Sequence, residues 1–167
     1  CGQMHHVNRR KQMIEITKPL LPLPDETLIQ KEESMWRIKL PSDYRSFLMK
    51  TNGGTPNKQE FKYKNHIYMV ESFLCILQNS ENSEYGFYDI DVVLTQIEDR
   101  LTSNEDLIGC ELLPIAELFA GDYLCLDFTK NTDSPSLCIW DHEKSGELEP
   151  VTYKVADSFS EFLTLLA

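Results

Sequence analysis

The sequence predicts an α+β fold, an antiparallel sheet with helices before, between and after it, on three observations. Four segments carry apolar residues at helical spacing, over 25–38, 42–52, 89–101 and 157–166. The apolar runs between them are strand-like and joined by short turns, which favours antiparallel neighbours. Helices fall in blocks instead of following every strand, which separates the pattern from a doubly wound sheet.

Each element has its own signal. Residues 1–23 read as an N-terminal arm ending in "KPLLPLP", whose prolines fix φ and disfavour helix before them, so a single domain is expected over 24–167. Asp25 is a good N-cap for a first helix, with Leu28, Met35, Trp36 and Ile38 as its apolar positions. In "LPSDYRSFLMKTNGG" Ser42 caps, Tyr44, Phe47 and Leu48 recur at helical spacing, and Asn52-Gly53-Gly54 supplies left-handed stop residues. From Gln59 to Gln78 the pattern turns extended. Phe61 and Tyr63, then Ile67 and Met69, suit a strand with one wet face, and His66 falls in a polar segment between strands. Asn79–Gly86 is a polar loop. Ile90, Val93, Leu94, Ile97 and Leu101 form one helical stripe, read as core. A short strand over 111–118 leads into the hairpin "FAGDYLCLDFTKNTDSPSLCIWDH". A strand over 151–155 then precedes a final helix, capped by Asp157 or Ser158, whose inward face is Phe159, Phe162, Leu163 and Leu166.

The hairpin raises the question of chemistry, because Asp122, Asp127, Asp141 and His142 fringe its apolar runs. A symmetric turn would face Phe128 to Leu137. Alternation then sets Tyr123, Cys125 and Asp127 on one face with Cys138, Trp140 and His142, leaving Asp122 and Asp141 together on the other. On that register His142 pairs with Tyr123 and stands apart from every aspartate. Two convergent carboxylates fall short of the three or four ligands a metal needs, so no metal, cofactor or catalytic residue is expected.

Bulk properties narrow the function classes. The chain has 167 residues, 41% hydrophobic and 26% charged, an ordinary soluble balance, with no apolar run long enough to span a bilayer. Its net charge of −11 is uneven: 1–50 carry +3 and 51–167 carry −14. That field disfavours direct nucleic-acid binding and could steer a basic protein into contact, with maintenance of solubility alone as the leading alternative. Cys1, Cys75, Cys110, Cys125 and Cys138 show no ligand spacing and read as free thiols of a cytoplasmic protein. A leading Cys1 also resembles a lipidated bacterial residue, but a natural start near Met4 or Met13 is the favoured reading, with no membrane attachment. No GxGxxG or GxSxG motif is present.

Four motifs in order, "LPSDYRSFLMKTNGG", "LLPIAELFAGDYLCLDF", "SLCIWDHE" and "VADSFSEFLTLL", resemble the SUKH superfamily, which includes a yeast regulator of cell-wall glucan synthesis. The resemblance covers 24–167 and implies a curved, mainly antiparallel sheet flanked by helices. It implies a non-enzymatic bacterial immunity protein that binds and neutralises a cognate toxin domain, a basic one such as a nuclease. An interaction module in cell-wall or stress regulation is the alternative, and a small metal-dependent hydrolase a more remote one. The family motifs fall on Leu40, Pro41, Tyr44, Asn52, Gly53, Gly54, Gly121, Asp127, Trp140, Ser158 and Phe159 as structural signature, with Asp122, Asp141, His142 and Glu143 as candidate surface. Tyr85, Phe87 and Tyr88, in the acidic loop "NSENSEYGFYDID", are candidate partner anchors, with a core role as the equal alternative for each.

Overall fold

A computed structural model describes residues 14–103 and 110–167. Its six-stranded sheet runs in sequence order, β3 (Glu60–Tyr63), β4 (His66–Phe73), β5 (Leu112–Leu118), β6 (Tyr123–Asp127), β7 (Ser136–Trp140) and β8 (Thr152–Ala156). Every neighbouring pair is antiparallel. β1 (Ile16–Lys18) and β2 (Thr55–Pro56) make a second, two-stranded sheet. The helices are α1 (Glu26–Trp36), α2 (Ser42–Thr51), α3 (Ile90–Ile97) and α4 (Phe159–Leu165). The protein is therefore α+β, as the pattern predicts. No described helix is long and apolar enough to cross a membrane.

The sheet is curved enough to bring its two edges together. Tyr63 of β3 stacks on Tyr153 of β8 with ring centroids 5.6 Å apart, although these strands lie at opposite ends of the order. The inner face carries Phe61, Val70, Leu124, Leu126, Leu137 and Ile139, all buried with Ile29 of α1 and Leu48 of α2. α4 fills the concavity, with Phe162 edge-on to Phe61 at 5.0 Å and Phe159 edge-on to Tyr44 at 5.1 Å. The outer face buries Leu112, Cys125, Cys138 and Trp140 under Leu94 and Ile97 of α3 and Leu101. β5 to β7 are thus apolar on both sides, which accounts for their nearly continuous hydrophobic sequence.

Local chemistry explains most boundaries. Asp25 accepts the Leu28 N–H at 2.8 Å and Ser158 accepts the Glu161 N–H at 3.1 Å, so both cap their helices. Ser42 does not: Pro41 is the N-cap residue of α2 and no side chain accepts there, while Ser42 is already helical. A proline suits that boundary because it has no N–H to leave unpaired. α2 stops at Asn52 (φ 51°), Gly53 (φ +81°) and Gly54 (φ +108°). A Cβ on Gly53 would stand 2.4 Å from the Leu74 carbonyl oxygen and one on Gly54 2.2 Å from that of Lys18, so neighbouring backbone occupies the space. Arg45 of α2 pairs with Glu26 and Glu33 of α1 and locks the two helices together.

Several local expectations are corrected. Met35 points to solvent at 60% exposed, since the buried stripe of α1 runs through Ile29, Glu32, Glu33 and Trp36. The extended stretch after Gln59 is a hairpin whose turn at Lys64-Asn65 changes the alternation. Phe61 pairs with Tyr68 and Tyr63 with His66, so His66 opens β4 and Ile67, 62% exposed, faces out. In the central hairpin Leu126, not Phe128, faces Leu137, and Tyr123 pairs with Trp140 instead of His142. The slip is two residues, so both faces keep their predicted membership. Cys75, Cys125 and Cys138 are buried free thiols, and Cys125 faces Cys138 directly.

Candidate functional site

Followed toward one end, the inner face changes from apolar to polar. On β6 the sequence Leu126, Leu124 continues to Asp122; on β7 Leu137, Ile139 continues to Asp141. Phe61 gives way to Tyr63 on β3, and Val70 to Tyr68 on β4, while Tyr153 pairs with Ile139 from β8. The result is a half-buried mouth of three tyrosines and two carboxylates where the sheet edges converge.

His142 completes it, against the register-based expectation. Having left the ladder, it folds back so that Asp122 Oδ1 accepts its backbone N–H at 2.9 Å and lies 2.5 Å from its Nδ1. A carboxylate only accepts, so Nδ1 carries the proton, while Nε2 lies against Gly121 and 4.0 Å from Oε1 of Glu143. Gly121 makes this possible: at φ +102° its missing Cβ would sit 3.2 Å from Cε1 and Nε2 of His142. Arg100 holds the turn from the other side, its guanidinium over the Trp140 ring at 5.0 Å and donating to the carbonyls of His142 and Ser145. Gly121→Ala is expected to cost about 1–3 kcal/mol through backbone strain and the displaced imidazole, read as a lower urea midpoint.

Asp141 is fully engaged. Its Oδ1 accepts the N–H groups of Glu143 and Lys144, each at 3.0 Å, and its Oδ2 the Tyr153 hydroxyl at 2.7 Å. Burial alone would raise its pKa, but the Tyr153 and backbone hydrogen bonds outweigh that and hold it below the usual carboxylate range. The same bond pushes the Tyr153 phenol up, and burial followed by the Asp122 charge does so for Tyr68. At neutral pH the mouth therefore offers protonated phenols beside a charged carboxylate. Chemically it is equipped to hold a cation.

The other candidate residues are distributed elsewhere. Glu143 is exposed at the rim, its Oε1 4.0 Å from His142 Nε2. Phe87 and Tyr88 lie on a short 3-10 segment before α3, with Tyr85 as its N-cap, beyond the far end of β4 from the mouth. Tyr85 and Tyr88 pack against Leu20, Cys75 and Leu77, and the Tyr88 carbonyl accepts the Cys75 N–H at 2.7 Å. Phe87 stands out at 83% exposed, with Glu81 and Glu84 also exposed on its loop. Asp89 anchors that loop by accepting the N–H groups of Leu77, Asp91 and Val92.

The structural motif residues are placed as supports. Leu40 donates its N–H to Glu33 at 2.6 Å, and Trp140 donates its indole N–H to the Arg100 carbonyl at 2.9 Å. Asp127 accepts from the N–H and hydroxyl of Thr129 at the turn, remote from Asp122. Tyr44 is wholly buried and its hydroxyl has no hydrogen-bond partner among the described residues. Reading the sequence missed Tyr63, Tyr68, Tyr153 and Arg100 as parts of one constellation. Only the strand alternation of the tyrosines hinted at it.

A mixed α+β domain with a curved antiparallel sheet and a tyrosine–carboxylate mouth formed by its Gly-Asp and Trp-Asp-His motifs thus defines the class. The profile of the SUKH_6 family, described as SMI1-KNR4 cell-wall, matches residues 26–163, and the chain belongs to that family. It is also similar to the SPbeta prophage-derived uncharacterized protein YokK of Bacillus subtilis (strain 168), 25% identical over 130 residues. That alignment covers 75% of this chain and 65% of YokK, so the chain spans just under two thirds of that relative's length.

Proposed function

We propose that the protein is a non-enzymatic immunity protein of the cytoplasm that binds a cognate toxin domain and neutralises it. Membership of the SUKH_6 family supports the class of protein. The observation that carries the binding mode is Phe87, an aromatic side chain 83% exposed in a loop that also holds Glu81 and Glu84. A buried aromatic anchor within a charged rim is the arrangement that dominates protein–protein affinity. The acidic field of residues 51–167, net −14, would steer a basic partner and compete with its phosphate substrate if that partner is a nuclease. The cell-wall term in the family description keeps a regulatory interaction module as the second reading.

Co-expression with the toxin encoded beside the gene tests the proposal. A stable complex and restored growth are expected, and absence of both overturns it. Phe87→Asp should weaken the complex by about tenfold or more with an unchanged melting temperature, because the ring contributes little to the fold.

A further inference from the structure

We propose that the polar mouth of the inner sheet face seats an arginine side chain of the protein partner, with Asp122 as acceptor and the rings of Tyr68 and Tyr153 as walls. This rests on the reading of the chain as a protein-binding module, and it adds a second contact point remote from Phe87.

Four observations converge on a guanidinium. First, only Oδ1 of Asp122 is engaged; Oδ2 has no hydrogen-bond partner among the described residues. Second, no described lysine or arginine pairs with Asp122 or Asp141, since Arg45 is taken by Glu26 and Glu33 and Lys154 by Asp157. The Lys144 ammonium acts on Asp141 through its charge without forming an ion pair, and among the described residues no lysine or arginine occupies Oδ2 of Asp122. Third, the hydroxyls of Tyr63 and Tyr68 carry no hydrogen bond among the described residues, while Tyr63 already has a cation on its ring, the Lys64 ammonium 5.5 Å from the centroid. Fourth, the surrounding field is acidic.

The chemistry of these groups favours arginine over lysine. A planar guanidinium stacks on phenol rings while its fork donates sideways to a carboxylate, and it is less strongly hydrated than an ammonium. Asp122 is pinned by His142, so little freedom is lost when the guest enters.

The test is an NMR titration of the full chain with N-acetyl-arginine amide and with its lysine and citrulline counterparts, the last a neutral near-isostere. Saturable amide shifts at Tyr68, Asp122, His142 and Tyr153 are expected with the arginine compound. Citrulline should bind about tenfold or more weakly, and lysine should fall between. Asp122→Asn keeps an acceptor for the His142 N–H and should lose about tenfold in affinity with a dispersed spectrum. Tyr68→Leu should lose about threefold or more, covering the case in which the first variant unfolds. Phe87→Asp should leave the titration unchanged.

Equal binding of citrulline, equal binding by Asp122→Asn, or shifts confined to other regions overturns the seat. Mouth shifts produced merely by changing Arg9, Arg10 and Lys11 to Gln would assign the seat to the chain's own arm and also overturn it. The two proposals separate cleanly. An Asp122→Asn variant that holds the toxin within about twofold overturns the seat and leaves immunity standing. Arginine binding at the mouth without toxin capture supports the seat and overturns immunity.

Discussion

Asn52→Ala is expected to lower stability by about 3–5 kcal/mol, enough to remove much of what a domain of this size possesses. Asn52 is wholly buried and ends α2 in the left-handed region at φ 51°. Its amide nitrogen donates to the carbonyls of Pro22 and Ile76, each at 3.0 Å, and its Oδ1 accepts the Ile76 N–H at 2.8 Å. One side chain thus ties the end of α2 to the chain entering α1 and to the segment leaving β4. Truncation orphans three backbone groups in the interior, each costing about 1–3 kcal/mol unless water replaces the amide. Alanine also sits less well than asparagine at positive φ. Asn52→Gly separates the two effects, since glycine accepts that conformation but makes none of the bonds. It should be more stable than Asn52→Ala by about 1 kcal/mol and still far below the wild type. Urea unfolding of the three proteins decides: an alanine variant within about 1 kcal/mol of wild type, the net contribution of a single hydrogen bond, overturns the assignment.

That an asparagine ended α2 was legible from "TNGG"; that its amide clamps two distant segments was not, because nothing local marks Pro22 or Ile76 as its partners. The same division runs through the mouth. Asp122 and Asp141 were correctly placed on one face despite a two-residue register slip, because a period of two survives an even shift. His142 was misplaced, since its position depends on leaving the ladder after Trp140 and on a space left by Gly121. Tyr63 and Tyr153 lie on the two outermost strands and meet only because the sheet curves. Curvature accumulates over six strands and has no signature in the alternation of any one of them. Of the aromatic loop, composition nominated three anchors, and burial leaves Phe87 as the fully exposed one.

The Glu32→Gln variant is expected to be more stable than wild type under mildly alkaline conditions and nearly equal to it in mild acid. Glu32 is 6% exposed in α1, and its Oε2 has no hydrogen-bond partner among the described residues. It faces Asp91 of α3, whose Oδ1 already accepts the Trp36 indole N–H at 2.8 Å. Burial first, then the hydrogen bond and charge of Asp91 and the charge of Asp89, push the Glu32 carboxyl from 4.5 up to about 8. Lys31 opposes this only weakly. The folded protein therefore keeps a proton that the unfolded chain releases. The stabilisation this proton provides is complete below 4.5 and is lost progressively as pH rises to about 8. Within that window each pH unit costs up to about 1.4 kcal/mol. Glutamine retains an N–H for Asp91 and does not titrate. The stability difference between variant and wild type should therefore widen from about pH 5 to pH 8 and level off above. Subtracting one profile from the other cancels Asp89, which burial also raises and which is common to both proteins. Parallel profiles would show that Glu32 ionises in the fold as it does in the unfolded chain, and that the α1–α3 contact is not held by a shared proton.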